Sequence, residues 1–211
     1  MTEAASQCWS CGEPRGSSDA LCPKCGKPQP PPVAGSRIDN FAILGIPQGF
    51  DLDLESLGER FRSLSKRLHP DRFARGTSKE RRYSLEQTTL LNNAHRTLKD
   101  PLKRAQSLLL LHGVDASGEP QPGQEREKVP IEFLEETMAD RERLMEAKME
   151  GGPAQVAKLA REVQGKHDAV VTELAGKLRA EQWQESAPLV SRLRYYARFL
   201  DEVEGRERGL E

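Results

Sequence analysis

A chain of 211 residues, 36% hydrophobic and 31% charged, is long enough for one or two soluble globular domains. Its 32 basic and 33 acidic residues leave a net charge of −1, which excludes a chain-wide attraction to nucleic acid or anionic lipid and confines charged surface to local patches. The longest apolar run, Leu108 to Leu111, is far short of the roughly 20 residues that a membrane-spanning helix needs.

The first residues, MTEAASQC, carry neither the basic-then-apolar pattern of a secretory signal nor the Arg/Ser-rich pattern of a transit peptide, so a cytoplasmic, bacterial protein is expected. All four cysteines lie between positions 8 and 25, as Cys8-x-x-Cys11 and Cys22-x-x-Cys25. Two such knuckles can set four thiolates tetrahedrally around one metal ion. Gly12 and Gly26, after the second cysteine of each pair, permit tight turns whose amides face the sulfurs. The alternatives are two disulfides or free thiols. A reducing cytosol favours metal, zinc ahead of a rubredoxin-like iron site. A closed four-thiolate site leaves no position for water or substrate, so the expected role is structural.

Lys27 to Arg37 (KPQPPPVAGSR) is Pro-rich without periodicity and reads as a semi-extended linker. From Ile38 the pattern turns helical. Leu54, Leu57, Phe61, Leu64 and Leu68 form one stripe of an amphipathic helix that also bears Arg60, Arg62, Lys66 and Arg67. A loop with His69-Pro70-Asp71 follows, then a second long helix from about Ser78 to Leu98, ended by Asp100-Pro101. Leu102 to Leu111 is a shorter apolar helix closed by Gly113, and Asp115 to Lys128 is Gly/Pro/Glu-rich.

The last third reads as three helices: Pro130 to Glu150, Pro153 to Ala180 and about Trp183 to Glu204. Val156, Leu159, Val163, Val170, Leu174 and Leu178 line the second; Leu189, Leu193, Tyr196, Leu200 and Val203 line the third. Such stripes bury against one another in a bundle. Pro188 requires that its helix start nearby or kink there.

The His-Pro-Asp tripeptide between matched helices, with KRLHPDRFA and NNAHRTLKDPLKRA around it, resembles the J-domain. Pro70 stiffens the turn and holds His69 and Asp71 out towards a partner, and the basic face suits an acidic surface. DNFAILGIPQGFDLD, FLEETMADRERL and RLRYYARFLDEVE extend the resemblance to the HscB (Jac-type) family from about Ile38 to Gly205, and the cysteine module resembles an extension that some members carry.

The resemblance implies a mainly α chain: a four-cysteine zinc module at 1–26, a linker at 27–37, a J-domain helical hairpin at 38–113, a linker at 114–129 and a three-helix bundle at 130–205. It implies a co-chaperone that stimulates the ATPase of a DnaK/HscA-type chaperone through His69, Pro70, Asp71, Arg62, Lys66, Arg67 and Arg72. It also implies delivery of an IscU-type iron–sulfur scaffold protein held by Leu134, Met138, Arg141, Glu142 and Tyr195. Glu135 stands where the family often has an apolar residue, and Tyr195-Tyr196-x-x-Phe199 allows the aromatic register to differ by a turn. From spacing alone, Ile131, Leu134, Met138 and Met145 also fit a bundle core, and Arg141 and Glu142 a solvated face.

Cys8, Cys11, Cys22 and Cys25 are the expected metal ligands, holding one structural zinc, with iron the alternative. His95, His112 and His167 have no second ligand at metal spacing and read as structural or exposed. No catalytic triad, nucleophile elbow or phosphate loop occurs, so no enzyme, nucleic acid or membrane partner is expected. The competing readings are a J-domain protein with another client, a nucleic-acid-associated zinc ribbon, and a cysteine module that receives iron. Against the ribbon, residues 1–26 set Glu3, Glu13 and Asp19 against Arg15 and Lys24, with Trp9 the one large aromatic.

Overall fold

The computed structural model describes residues 6–16, 18–32, 38–118 and 130–205, and the chain divides into two compact units, Met1–Leu111 and His112–Glu211. Most of the second expected linker and residues 33–37 of the first lie outside the described residues.

The first unit opens with a two-stranded antiparallel ribbon, β1 (Ser6–Gln7) against β2 (Pro14–Arg15), with Ser6 opposite Arg15. A bridge between Leu21 and Pro28 closes the second knuckle in the same way. Lys27 to Pro30, read as linker from composition, therefore belong to the hydrogen-bonded fabric of the module: Gln29 donates its backbone N–H to Ala20 O and is fully buried.

Helix α1 (Asn40–Leu44) starts at Asp39, whose carboxylate accepts from the N–H groups of Phe41 and Ala42. Its last carbonyl, Leu44 O, takes a 3.0 Å hydrogen bond from Arg60 Nε, so this arginine of the basic helix is spent on the fold. Helix α2 (Leu54–Leu68) is capped by Asp53 and ends at His69, because Pro70 pushes the preceding residue out of the α region, to φ −52° and ψ 130°. A single 3₁₀ turn, Pro70–Phe73, leads to α3 (Ser78–Lys99), which opens with a reciprocal capping box between Thr77 and Glu80. Asp100 ends α3 and at the same time caps α4 (Pro101–Leu111), accepting from the N–H groups of Leu102 and Lys103.

Phe41, Leu44, Leu57, Leu68, Leu91, Ala94, Leu98, Leu108 and Leu109 close the core of this unit. The α2 stripe is only half realised: Leu54 is 49% exposed, and Phe61 and Leu64 are half-buried. Phe61 stacks on His95 with ring centroids 4.1 Å apart. Burial, aided by Lys99 and Arg62, depresses the pKa of His95, which fits the structural role expected of it.

In the second unit, α5 (Ile131–Glu146) widens into a π turn at Ala147–Gly151 before α6 (Gly152–Arg179). Gly152 adopts φ 69° and ψ −178°, a region essentially closed to residues with a Cβ, so the Gly-Gly pair is the corner of the hairpin. Helix α7 (Trp183–Val203) contains Pro188 little more than one turn from its start. The missing N–H leaves the carbonyl of Gln184 without its helical partner, at an exposed residue on the first turn of the helix. Leu144, Leu159, Val163, Val170, Leu174, Leu178, Leu189, Val190, Leu193, Tyr196 and Phe199 form the bundle core. Buried carboxylates also occur in this unit, Asp140 the more deeply enclosed and Asp201 on α7. Asp140, 2% exposed, takes a 2.9 Å ion pair from Lys166 of α6, which also pairs with Glu136 at 2.8 Å.

Candidate functional site

The four cysteine Sγ atoms lie within 4.8 Å of one another, and the Cys8–Cys25 and Cys11–Cys22 pairs stand 3.7 Å apart. A tetrahedral ion with metal–sulfur bonds of about 2.3 Å needs sulfur–sulfur edges of about 3.8 Å, whereas a disulfide needs about 2.05 Å. All four are free thiols, so the set fits one thiolate-bound metal ion rather than two disulfides.

The two knuckles repeat one construction. Cys8 N–H donates to Glu13 O and Gly12 N–H to Cys8 O; Cys22 N–H donates to Lys27 O and Gly26 N–H to Cys22 O. Gly12 and Gly26, at φ 72° and 68°, supply the left-handed corners. Cys8 and Cys22 are buried while Cys11 and Cys25 are exposed. The amides of Ser10 and Cys25 point at Cys8 Sγ (3.4 Å) and Cys22 Sγ (3.5 Å). Desolvation pushes the Cys8 thiol up, but the N–H groups of Ser10 and Cys11, with the Cys11 and Cys22 thiols, outweigh it and bring it down to about 6. At Cys11 the N–H of Glu13 acts downwards, but desolvation and the neighbouring thiols outweigh it and push that thiol up to about 12, and Cys25 is raised too, so of these three Cys8 is the one brought down.

The second candidate region surrounds the α2–α3 loop. His69 is both the last boundary of α2 and the cap of the 3₁₀ turn; its Nδ1 accepts from Asp71 N–H at 3.3 Å and lies 3.5 Å from Asp71 Oδ2. The His69 and Asp71 side chains are 54% and 90% exposed. Beneath them, Leu68 O accepts from Ser84 Oγ at 2.6 Å and from Thr88 Oγ1 at 3.3 Å, both on α3. The hydroxyls thus tie down the carbonyl that immediately precedes the loop. Phe61, Arg62, Ser65, Lys66, His69 and Arg72 line an open groove beside it. Four of the residues singled out in the sequence, Arg62, Lys66, His69 and Arg72, are brought together there. Arg67, Pro70 and Asp71 are not among the groove's lining; Arg67 and Asp71 are exposed and Pro70 is half-buried.

On α5, Phe133, Asp140 and Leu144 are buried, as is Ala147 at the start of the π turn, whereas Ile131 (70%), Leu134 (48%), Met138 (65%) and Met145 (67%) are exposed. The bundle-core alternative for those four is therefore excluded. Arg141 and Glu142 are exposed on the same helix. Tyr195, half-buried on α7, meets α5: its hydroxyl donates to Thr137 O at 2.8 Å and its ring packs edge-on to Phe133 at 5.6 Å. Burial pushes the Tyr195 phenol up to about 12. Tyr196 is the buried member of the pair and donates to Glu136 at 3.1 Å.

Sequence reasoning passed over Gln29, Ser84 and Gln87. Each is a buried polar residue whose partner is 16 to 58 positions away in the chain, a relation with no local signature. It also passed over Met149, 77% exposed just beyond the end of α5.

A family profile described as "HSCB C-terminal oligomerisation domain" matches residues 129–204. A "Co-chaperone protein HscB homolog" of Vibrio cholerae is 34% identical over 168 residues, covering 79% of this chain and 95% of the relative. The "Iron-sulfur cluster co-chaperone protein HscB" of Homo sapiens is 27% identical over 200 residues, covering 93% of this chain and 80% of that protein. The crystal structure of human co-chaperone protein HscB superposes with a TM-score of 0.80 at 26% identity, over 97% of this chain and 100% of that one.

Proposed function

The chain belongs to the HscB family of co-chaperones, and from that premise we propose that it is a J-domain co-chaperone of iron–sulfur cluster assembly which activates a DnaK/HscA-type ATPase and delivers an IscU-type scaffold to it. The observation that carries the reading is the exposed His69-Pro70-Asp71 turn, anchored from below by Ser84 and Thr88 and flanked by Arg62, Lys66 and Arg72.

Pro70 removes one N–H and fixes one φ angle, so little conformational freedom is lost when a partner grips His69 and Asp71. The three cations steer an acidic partner surface and set register, an effect that weakens with salt. ATP is hydrolysed in the partner; this chain contributes binding and orientation. Arg67 adds to the positive face of α2.

Leu134 and Met138, exposed apolar side chains flanked by Arg141 and Glu142, supply an apolar patch with a charged rim for the scaffold. Tyr195 supports α5 from behind through Thr137. The four cysteines hold one zinc ion as a structural staple, since they provide four thiolates and no open ligand position. No described helix is long and apolar enough to cross a membrane, and a cytoplasmic setting suits the free thiols.

The test is steady-state ATP hydrolysis by the DnaK/HscA-type chaperone with this protein, with the scaffold, and with both. Synergistic stimulation that falls to the basal rate in His69→Gln, at unchanged helicity and scaffold binding, is the expected result. Stimulation indifferent to the scaffold points to another client, and no stimulation at all overturns the proposal.

A further inference from the structure

The cysteine module is packed against α3 through a continuous strip of contacts. Trp9 stands edge-on to Tyr83 at 6.0 Å, with Lys79 5.6 Å from the indole centroid. Lys27 pairs with Glu80 at 2.9 Å. At the centre lies Gln29, 0% exposed, whose side-chain Nε2 donates to Cys8 Sγ at 3.3 Å and to Lys27 O at 2.9 Å. The backbone carbonyl of the same residue accepts from Gln87 Nε2 of α3 at 3.0 Å, and the Gln87 amide also reaches Pro30 O at 3.2 Å.

The orientation of the Gln29 amide is informative. Its Oε1 is buried with no partner among the described residues. Turning the amide over would aim that oxygen at Cys8 Sγ, which a thiolate opposes; leaving the oxygen bare is tolerated because the N–H group serves the sulfur. Gln29 thus belongs to the outer shell of the metal site on one side and to the junction with α3 on the other. Gln87 stands one helical turn from Ser84, whose hydroxyl holds the carbonyl ahead of His69.

We propose that metal occupancy of the four-cysteine module is coupled to the rigidity of α3 and of the His69-Pro70-Asp71 turn, with Gln29 and Gln87 as the positioning residues that join them. Among its described residues the module buries, apart from cysteine, little besides Pro28 and Gln29, so its order depends on the metal cross-linking its two knuckles. Ordering the knuckles presents Gln29 O, Pro30 O, Lys27 and Trp9 as one surface to α3. By linkage, α3 in turn strengthens metal binding. This inference rests on the metal-site reading but not on the chaperone or scaffold assignments.

The full chain is stripped of metal with a chelator and titrated with zinc, using cobalt(II) as the spectroscopic substitute, while amide hydrogen exchange is followed over residues 68–88. Zinc at one ion per chain is expected to slow exchange in α3 and the loop by about tenfold, the weight of one or two buried hydrogen bonds. Gln87→Met keeps the stoichiometry and the thiolate-to-cobalt absorption but loses that protection. Gln29→Leu, which retains the carbonyl for Gln87, weakens metal binding by about 10- to 100-fold yet shows the protection once saturated. Circular dichroism checks that both variants keep their helices. Metal that binds without altering exchange, or an unaltered response in Gln87→Met, overturns the coupling alone; a chain that binds no metal overturns the metal site with it.

Discussion

Leu68 carries the last carbonyl of α2, a group that helix geometry leaves without an internal partner. Two α3 hydroxyls take it, Ser84 at 2.6 Å and Thr88 at 3.3 Å, and Ser84 is fully buried. Ser84→Ala is expected to cost about 1 kcal/mol in urea unfolding at unchanged m-value, with Thr88 retaining part of the cap; an unchanged midpoint would show that the cap adds nothing. Glu80 is held below its ordinary pKa first by the hydrogen bond from Lys27 and then by Thr77 N–H, against the opposing effect of burial. A depressed folded pKa means stability present above the usual 4.5 and lost as pH falls through the lower folded value. Glu80→Gln should therefore be less stable than the parent at pH 7, and the gap should close on acidification below 4.5; a gap independent of pH would assign it to packing.

At the scale of the element, α5 carries two apolar stripes. One holds Phe133 and Leu144 and continues to Ala147 of the π turn, and the other holds Ile131, Leu134, Met138 and Met145. Both have helical spacing, so periodicity identified the helix without deciding which face turns inward. The choice is made by α6 and α7, which offer Lys166 to Asp140 and Tyr196 to Glu136, polar partners that only one orientation of α5 can meet. Leu144→Ala is expected to destabilise the bundle by about 2–5 kcal/mol. Met138→Ser should stay within about 0.5 kcal/mol in stability while weakening scaffold capture in a pull-down. Equal losses of stability in the two variants would contradict the assignment of faces.

Across the whole molecule, each unit closes its own core with its own side chains. In the second, Trp183 stacks on His112 at 3.8 Å and Arg194 donates to Ala116 O, so the segment ahead of α5 is tied to α7. A fragment of residues 112–211 is expected to retain helical circular dichroism and to unfold cooperatively; a gradual, featureless melt would show that it needs the first unit.

What the sequence determined by itself is what local covalent geometry enforces. The two Cys-x-x-Cys pairs with their following glycines form the two knuckles. Pro70 ends α2 at His69, and Asp100-Pro101 separates α3 from α4, whereas the caps at Asp39, Asp53 and Thr77 were passed over in the sequence although each acts on amides two or three residues on. The end of α2 and the limits of α3 were legible to within a few residues for that reason, while α1 was not delimited. The tertiary structure alone decided which stripe of α5 is core, that Lys27 to Pro30 belong to the cysteine module, and what lies against Cys8 and Leu68. The contacts that decide them reach as far as 60 positions along the chain, where the cost of burying an unpartnered polar group or apolar face selects the partner and no local pattern announces it.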